Sequence, residues 1–136
     1  MVIKTPLGMN ANCTPVSGYP IERCVKAYVP AKAEPVPVGH QYWFADRNFA
    51  GGNTVKLSAV NPGLRMHEPH RHAEDEFMFV LEGLGEFTLD EERRTVGPLT
   101  SLYCPSWHLH GLRNCGDTVL KYLVLRKEPV PASVSK

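Results

Sequence analysis

Residues 74–89 read Glu-Asp-Glu-Phe-Met-Phe-Val-Leu-Glu-Gly-Leu-Gly-Glu-Phe-Thr-Leu. The block Glu76–Leu81 is strongly apolar and ends at Gly83-Leu84-Gly85, whose glycines suit the positive φ of a hairpin-type turn. The pattern predicts a strand, a turn, and a second strand, Glu86–Leu89, that pairs back against the first.

The same signal repeats on both sides. Upstream, Val55–Val60 sits between Gly51-Gly52-Asn53 and Asn61-Pro62-Gly63, and Gln41–Ala45 is rich in aromatic residues. Downstream come Leu99–Cys104, Leu109–Asn114 and Val119–Leu125, while the mixed charges of Asp90-Glu91-Glu92-Arg93-Arg94 read as a solvated turn. No segment sustains an i, i+3, i+4, i+7 apolar pattern over three turns. About eight short, evenly spaced strands make the fold class all-β, a sandwich or barrel.

Six of the twelve prolines fall in the first 37 residues. Proline fixes φ and removes a donor, so this region is neither a long helix nor a central strand. It reads as an extended arm over 1–38 with a short edge strand at Cys24–Val29, followed by a barrel over 39–128 and a tail over 129–136. Such an arm wraps its own domain or reaches a partner subunit.

The chain's 136 residues amount to one domain. Fifteen Lys and Arg against fourteen Asp and Glu leave a formal charge of +1, with no electrostatic footprint for nucleic acid or an anionic membrane. No apolar run reaches the ~18 residues of a membrane span. The first residues lack the apolar stretch of a secretory signal, so a cytoplasmic protein is expected. Cys13, Cys24, Cys104 and Cys115 include no Cys-x-x-Cys pair. They read as free thiols, a Cys104–Cys115 bridge across a hairpin being the alternative.

Five of the six histidines lie in two windows, 67–72 and 108–110. Side chains two apart on a strand share a face. By that parity His70, His72 and Glu76 point into one cavity, which His110 on a later strand can approach. Three imidazoles and a carboxylate suit a divalent transition metal with open positions left; the alternative is a polar strand edge facing solvent. Met78 and Val80 continue the inward parity. Phe77, Phe79 and Leu81 face outward and want covering by the arm or a second subunit.

The spacing His70-x-His72-x-x-x-Glu76, then Gly83, resembles the first motif of the cupin superfamily. Pro105-Ser-Trp-His-Leu-His110-Gly-Leu-Arg-Asn114 is similar to the second, with five positions from Pro to His and four from His to Asn. The resemblance covers about Val55–Leu125 and is to the small, single-domain cupins. It implies a double-stranded β-helix (jelly-roll barrel), one divalent metal (Fe, Mn, Ni, Co or Zn) held by His70, His72, Glu76 and His110, and a homodimer. Three positions depart from the pattern: Gly63 lies one residue further upstream of His70 than usual, Trp107 stands where a glycine usually follows Pro by two, and Gly97 lies eight residues before Pro105 rather than six.

For proton transfer the candidates are His108, which shares parity with His110, Tyr103 near the mouth, and Glu82. His108 is also an alternative ligand in place of Glu76. His67 has the wrong parity for a ligand and belongs at the rim or facing away. Arg65 and Arg113 are candidate forks for a substrate carboxylate. These features imply a metal-dependent enzyme acting on a small, oxygen-rich substrate: a keto or hydroxy acid, sugar carbonyl, diketone or catechol-like ring. The reaction classes are isomerase, lyase, decarboxylase or dioxygenase. A non-catalytic barrel that binds or senses a small molecule or metal is the alternative.

Overall fold

The computed structural model describes residues 19–128, and its strands carry the period-two burial expected of sheets packed on one face. Nine strands are present among these residues: β1 (Glu34–Val36), β2 (Gly39–Ala45), β3 (Asn53–Val60), β4 (Asp75–Glu82), β5 (Gly85–Leu89), β6 (Glu92–Val96), β7 (Thr100–Cys104), β8 (His110–Asn114) and β9 (Leu120–Lys127). They form two antiparallel sheets, one ordered β1-β2-β3-β9-β4-β7 and the other β6-β5-β8. Val60, Met78, Val80, Leu102, Leu112, Leu120 and Tyr122 form the core between them. Burying each such side chain contributes about 1.5–3 kcal/mol. This is the jelly-roll barrel that the motif resemblance implies.

The hairpin expected between Glu76–Leu81 and Glu86–Leu89 does not form. Both edges of β4 are taken, by β9 and by β7, and β5 pairs with β6 and β8 instead. Gly83 is the exit from one sheet to the other: its φ is 89°, and a Cβ there would sit 2.8 Å from the carbonyl oxygen of Val119. The charged run also differs from expectation. Only Asp90 and Glu91 turn, and Glu92, Arg93 and Arg94 begin β6. β6 is an edge strand, where exposed charges discourage pairing with another chain.

No strand occupies Cys24–Val29. Ile21–Cys24 is one helical turn, and Pro30 opens a 3-10 turn. The edge strand is β1, inside the proline-rich stretch, and Pro35 is tolerated there because its missing donor faces no neighbour. The described part of the arm packs on its own barrel. Tyr42 donates its hydroxyl to the carbonyl of Ala27 (3.1 Å), and Tyr28 stands edge-on to Tyr42. Residues 1–18 of the arm, Cys13 and the 129–136 tail lie outside the described residues. Cys24, Cys104 and Cys115 are free thiols, so Cys104 and Cys115 are not bridged. Among the described residues no helix is long and apolar enough to cross a membrane.

Candidate metal centre

Glu76 enters the barrel from the second residue of β4, and His110 from the first residue of β8; both are almost fully buried. His70 does not sit on a continuous strand. It forms a single antiparallel bridge with His110, each backbone N–H donating to the other's carbonyl at 3.0 Å. That bridge sets the two rings side by side, with centroids 4.9 Å apart. His72 lies in the loop before β4, where its carbonyl accepts the N–H of Trp107 at 2.8 Å. Its ring stands 5.0 Å from that of His70 and 4.7 Å from that of His110. One ring nitrogen from each of the three histidines lies within 4.8 Å of the others.

The tautomers follow from the partners. His72 Nδ1 lies 2.9 Å from the carbonyl of Glu74, and His110 Nδ1 lies 3.0 Å from that of His108. A carbonyl only accepts, so each Nδ1 carries the proton and each Nε2 presents a lone pair. Both Nε2 atoms are buried without a hydrogen-bond partner. An unsatisfied buried polar atom costs about 1–3 kcal/mol, and two of them converging beside a carboxylate fit a cation. The alternative of a solvated strand edge fails on this burial.

Glu76 supplies the negative charge. Its Oε1 accepts from Arg126 Nε (2.9 Å) and Nη2 (2.6 Å), and lies 3.4 Å from His72 Nε2. Its Oε2 lies 3.4 Å from His110 Nε2. Burial pushes the Glu76 carboxyl up, but His110 and the Arg126 guanidinium outweigh it and hold the pKa at about 2. For His70, burial and then the neighbouring imidazoles lower the pKa and favour the neutral ring. For His110, burial lowers it, yet the facing carboxylate outweighs that and raises it: this spot draws positive charge. The residues fit a divalent metal, with His70, His72 and His110 as imidazole donors and Glu76 as the carboxylate.

Three residues of the pocket were not foreseen. Arg126 lies directly across from Glu76 in the β4–β9 register. Cys104, fully buried, brings its thiol within 4.8 Å of Glu76 and His110. Burial, then the nearby Glu76 charge, pushes that thiol up to about 12, so it walls the site as a neutral group. Lys56 lines the same pocket with Met66, His67, Met78 and Tyr122. Strand parity marks all three: Arg126 alternates with Val124 and Tyr122, Cys104 with Leu102, and Lys56 with Ser58 and Val60.

The proton-transfer candidates are not brought to this pocket. His108 lies in the turn before β8, where strand parity does not apply. Its exposed ring meets Asp90 Oδ2 at 2.7 Å on the outer surface. That position also excludes it as a substitute for Glu76. Tyr103 takes the outward parity of β7, stacks on Phe77 (4.9 Å) and donates to Asp75 Oδ1 at 3.2 Å. Glu82 lies six residues along β4 from Glu76, about 20 Å at ~3.4 Å per residue, and pairs with Lys121. Arg65 meets Glu68 and Arg113 meets Glu86, so neither fork is turned to the pocket. His67 stacks on His70 at 5.5 Å and lines the rim.

Comparison with known proteins agrees with this fold. Residues 56–126 match the family model described as "Cupin domain". A 5-nitrosalicylic acid 1,2-dioxygenase of Bradyrhizobium sp is 32% identical over 66 residues, which are 48% of this chain and 31% of that protein. The matched part thus spans under a third of that relative's length. A predicted oxalate decarboxylase from Thermotoga maritima superposes with a TM-score of 0.62 at 18% identity, over 66% of this chain and 80% of that one. The polyketide cyclase RemF from Streptomyces resistomycificus gives 0.63 at 22% identity, over 79% and 82%. At these identities the likeness to solved structures is one of fold.

Proposed function

The chain belongs to the cupin family, and from that membership and the site's chemistry we propose that it is a metal-dependent enzyme acting on a small, oxygen-rich substrate. His70, His72, His110 and Glu76 hold one divalent transition metal: Fe, Mn, Ni, Co or Zn. The observation that carries this reading is the pair of buried, partnerless Nε2 atoms of His72 and His110 beside the ionised Glu76. When bound, such a metal supplies Lewis acidity to a substrate oxygen, or a position for O₂.

The surrounding residues have their own work. Arg126 orients the Glu76 carboxylate through two hydrogen bonds, and the carbonyls of Glu74 and His108 lock the two imidazole tautomers. Met66, Met78 and Val124 wall the pocket with apolar surface that limits water. Proton transfer falls to His67, whose ring lines the pocket and whose pKa is lowered by burial, then by Lys56 and Arg126, toward the neutral base. The reaction class is isomerase, lyase, decarboxylase or dioxygenase; the relative named as a dioxygenase supports the last of these. The free thiols of Cys24, Cys104 and Cys115 support a cytoplasmic setting.

A second reading, a non-catalytic binding barrel, is favoured by one observation: His108, Tyr103 and Glu82 all lie outside the pocket. Turnover assays decide between them. Iron-loaded protein is followed by oxygen consumption, and manganese- and zinc-loaded protein by product analysis, against a panel of 2-oxo and 2-hydroxy acids. Turnover that disappears in His110→Ala supports the enzyme. Retained metal and ligand binding without turnover assigns the binding barrel.

A further inference from the structure

The pocket that holds His70, Glu76 and His110 is also lined by two cations, Lys56 and Arg126. Register explains the placement: Lys56 on β3 lies across from Val124 on β9, and Arg126 lies across from Thr54 on one side and Glu76 on the other. Both therefore rise from the inner face of the large sheet, toward the metal site. Arg126 already binds Glu76 through Nε and Nη2. Lys56 does not share such a partner. Among the described residues its Nζ makes no ion pair or hydrogen bond, and it stands 5.3 Å over the ring of Trp43. Glu34 on the neighbouring edge is bound by Gln41 at 3.0 Å, not by Lys56.

A half-buried ammonium without an anion is an incomplete arrangement. Burial and the adjacent Arg126 charge depress its pKa, which an incoming anion would reverse. Of the two carboxylates that line the pocket, Glu68 is 88% exposed and paired with Arg65, so at the buried end Lys56 and Arg126 face Glu76 alone, and a divalent ion adds to that positive excess. The pocket's complement is an anion. Its enclosed volume is about 40 Å³, room for only a few atoms, so a compact head enters and the rest of a larger ligand stays at the mouth beside Met66 and His67.

We propose that Lys56, with Arg126 beside it, forms an anion subsite that seats the carboxylate of a small 2-oxo or 2-hydroxy acid, turning the acid's adjacent oxygen toward His70, His72 and His110. The orientation of that oxygen rests on the metal reading above; the carboxylate contact does not. The subsite replaces Arg65 and Arg113 as the source of anion recognition.

The test is isothermal titration of zinc-loaded and metal-free protein with oxalate, with its uncharged isostere oxamide, and with inorganic phosphate. Lys56→Gln should keep the metal content of the wild type and lose about tenfold or more in oxalate affinity, the scale of one charge-assisted hydrogen bond. Lys56→Arg should recover most of it, and oxamide binding should not change. Should Lys56→Gln melt early, Lys56→Met keeps the aliphatic stem against Trp43 and serves in its place. Oxalate affinity within twofold of wild type in the charge-removing variant overturns the subsite, as does a wild type that binds no oxalate in either form. Phosphate bound as tightly as oxalate overturns the assignment to a carboxylate. If zinc is not taken up, the metal reading falls, and the metal-free titrations decide the subsite by the same tenfold criterion.

Discussion

Trp107 donates its backbone N–H to the carbonyl of His72 at 2.8 Å, so the loop before β8 holds the backbone of a candidate metal ligand in the loop before β4. It does so from φ 67°, in the left-handed region. A non-glycine residue there costs about 1–2 kcal/mol. Trp107 is 64% exposed, so little packing offsets the strain. Glycine relieves that strain but loses more entropy on folding. Trp107→Gly should therefore raise stability by about 0.5–1 kcal/mol in urea unfolding, with metal content unchanged. A loss of stability would show that the indole makes contacts that outweigh the backbone strain.

Asn114 is the buried staple of the second motif. Its Nδ2 donates to the carbonyls of Val60 and Thr118 at 2.8 Å each, and its Oδ1 accepts from the Gly116 N–H at 2.9 Å. Asn114→Leu leaves those backbone groups without their partner and should cost about 2–4 kcal/mol in urea unfolding. A cost below about 1 kcal/mol would mean that the turn re-satisfies these groups by itself.

Cys104 should resist alkylation. At pH 8, with its thiol held near 12 by burial and then Glu76, it carries almost no thiolate. Exposed Cys24 and Cys115 should react with iodoacetamide in the native protein, and Cys104 only after denaturant is added. Peptide mass spectrometry reads the sites. Native labelling of Cys104 would contradict its placement in the barrel wall.

Tyr103, Phe77 and Leu125 stand directly across from one another on β7, β4 and β9, forming an exposed apolar row on the outside of the large sheet. Among the described residues, the arm covers Tyr42 further along the same sheet and leaves this row open. A contiguous apolar patch of this kind marks an association surface. The protein should run as a homodimer in light scattering at tens of micromolar, and Phe77→Lys should make it a monomer. A monomeric wild type would contradict this.

How much of this was legible in the sequence depends on how local each feature is. Strand positions follow from alternation such as Glu76, Met78, Val80 inward against Phe77, Phe79, Leu81 outward, which neighbours along the chain encode. Strand pairing is not local. β4 pairs with β9 and β7, and β5 with β6 and β8, so partners such as Phe77 and Leu125 lie 48 positions apart in the sequence. The histidine spacing was readable because the motif carries it, yet His108 and His110 look equivalent by parity, and only the left-handed turn at Trp107 separates them. Arg126 and Lys56 escaped notice because a basic residue near a strand end reads as a solvent-facing charge. Strand parity carried the signal for both, and the register then places them beside Glu76 and the pocket.

The central claim, that three imidazoles and Glu76 hold a metal, is tested most directly by elemental mass spectrometry. The protein is purified tag-free without chelator, with His72→Ala and His110→Ala prepared in parallel and checked for an all-β circular dichroism spectrum. The account predicts about one equivalent of Fe, Mn, Ni, Co or Zn in the wild type, lost from both folded variants. Stoichiometric metal retained in both variants, or none in the wild type after reconstitution, would contradict it.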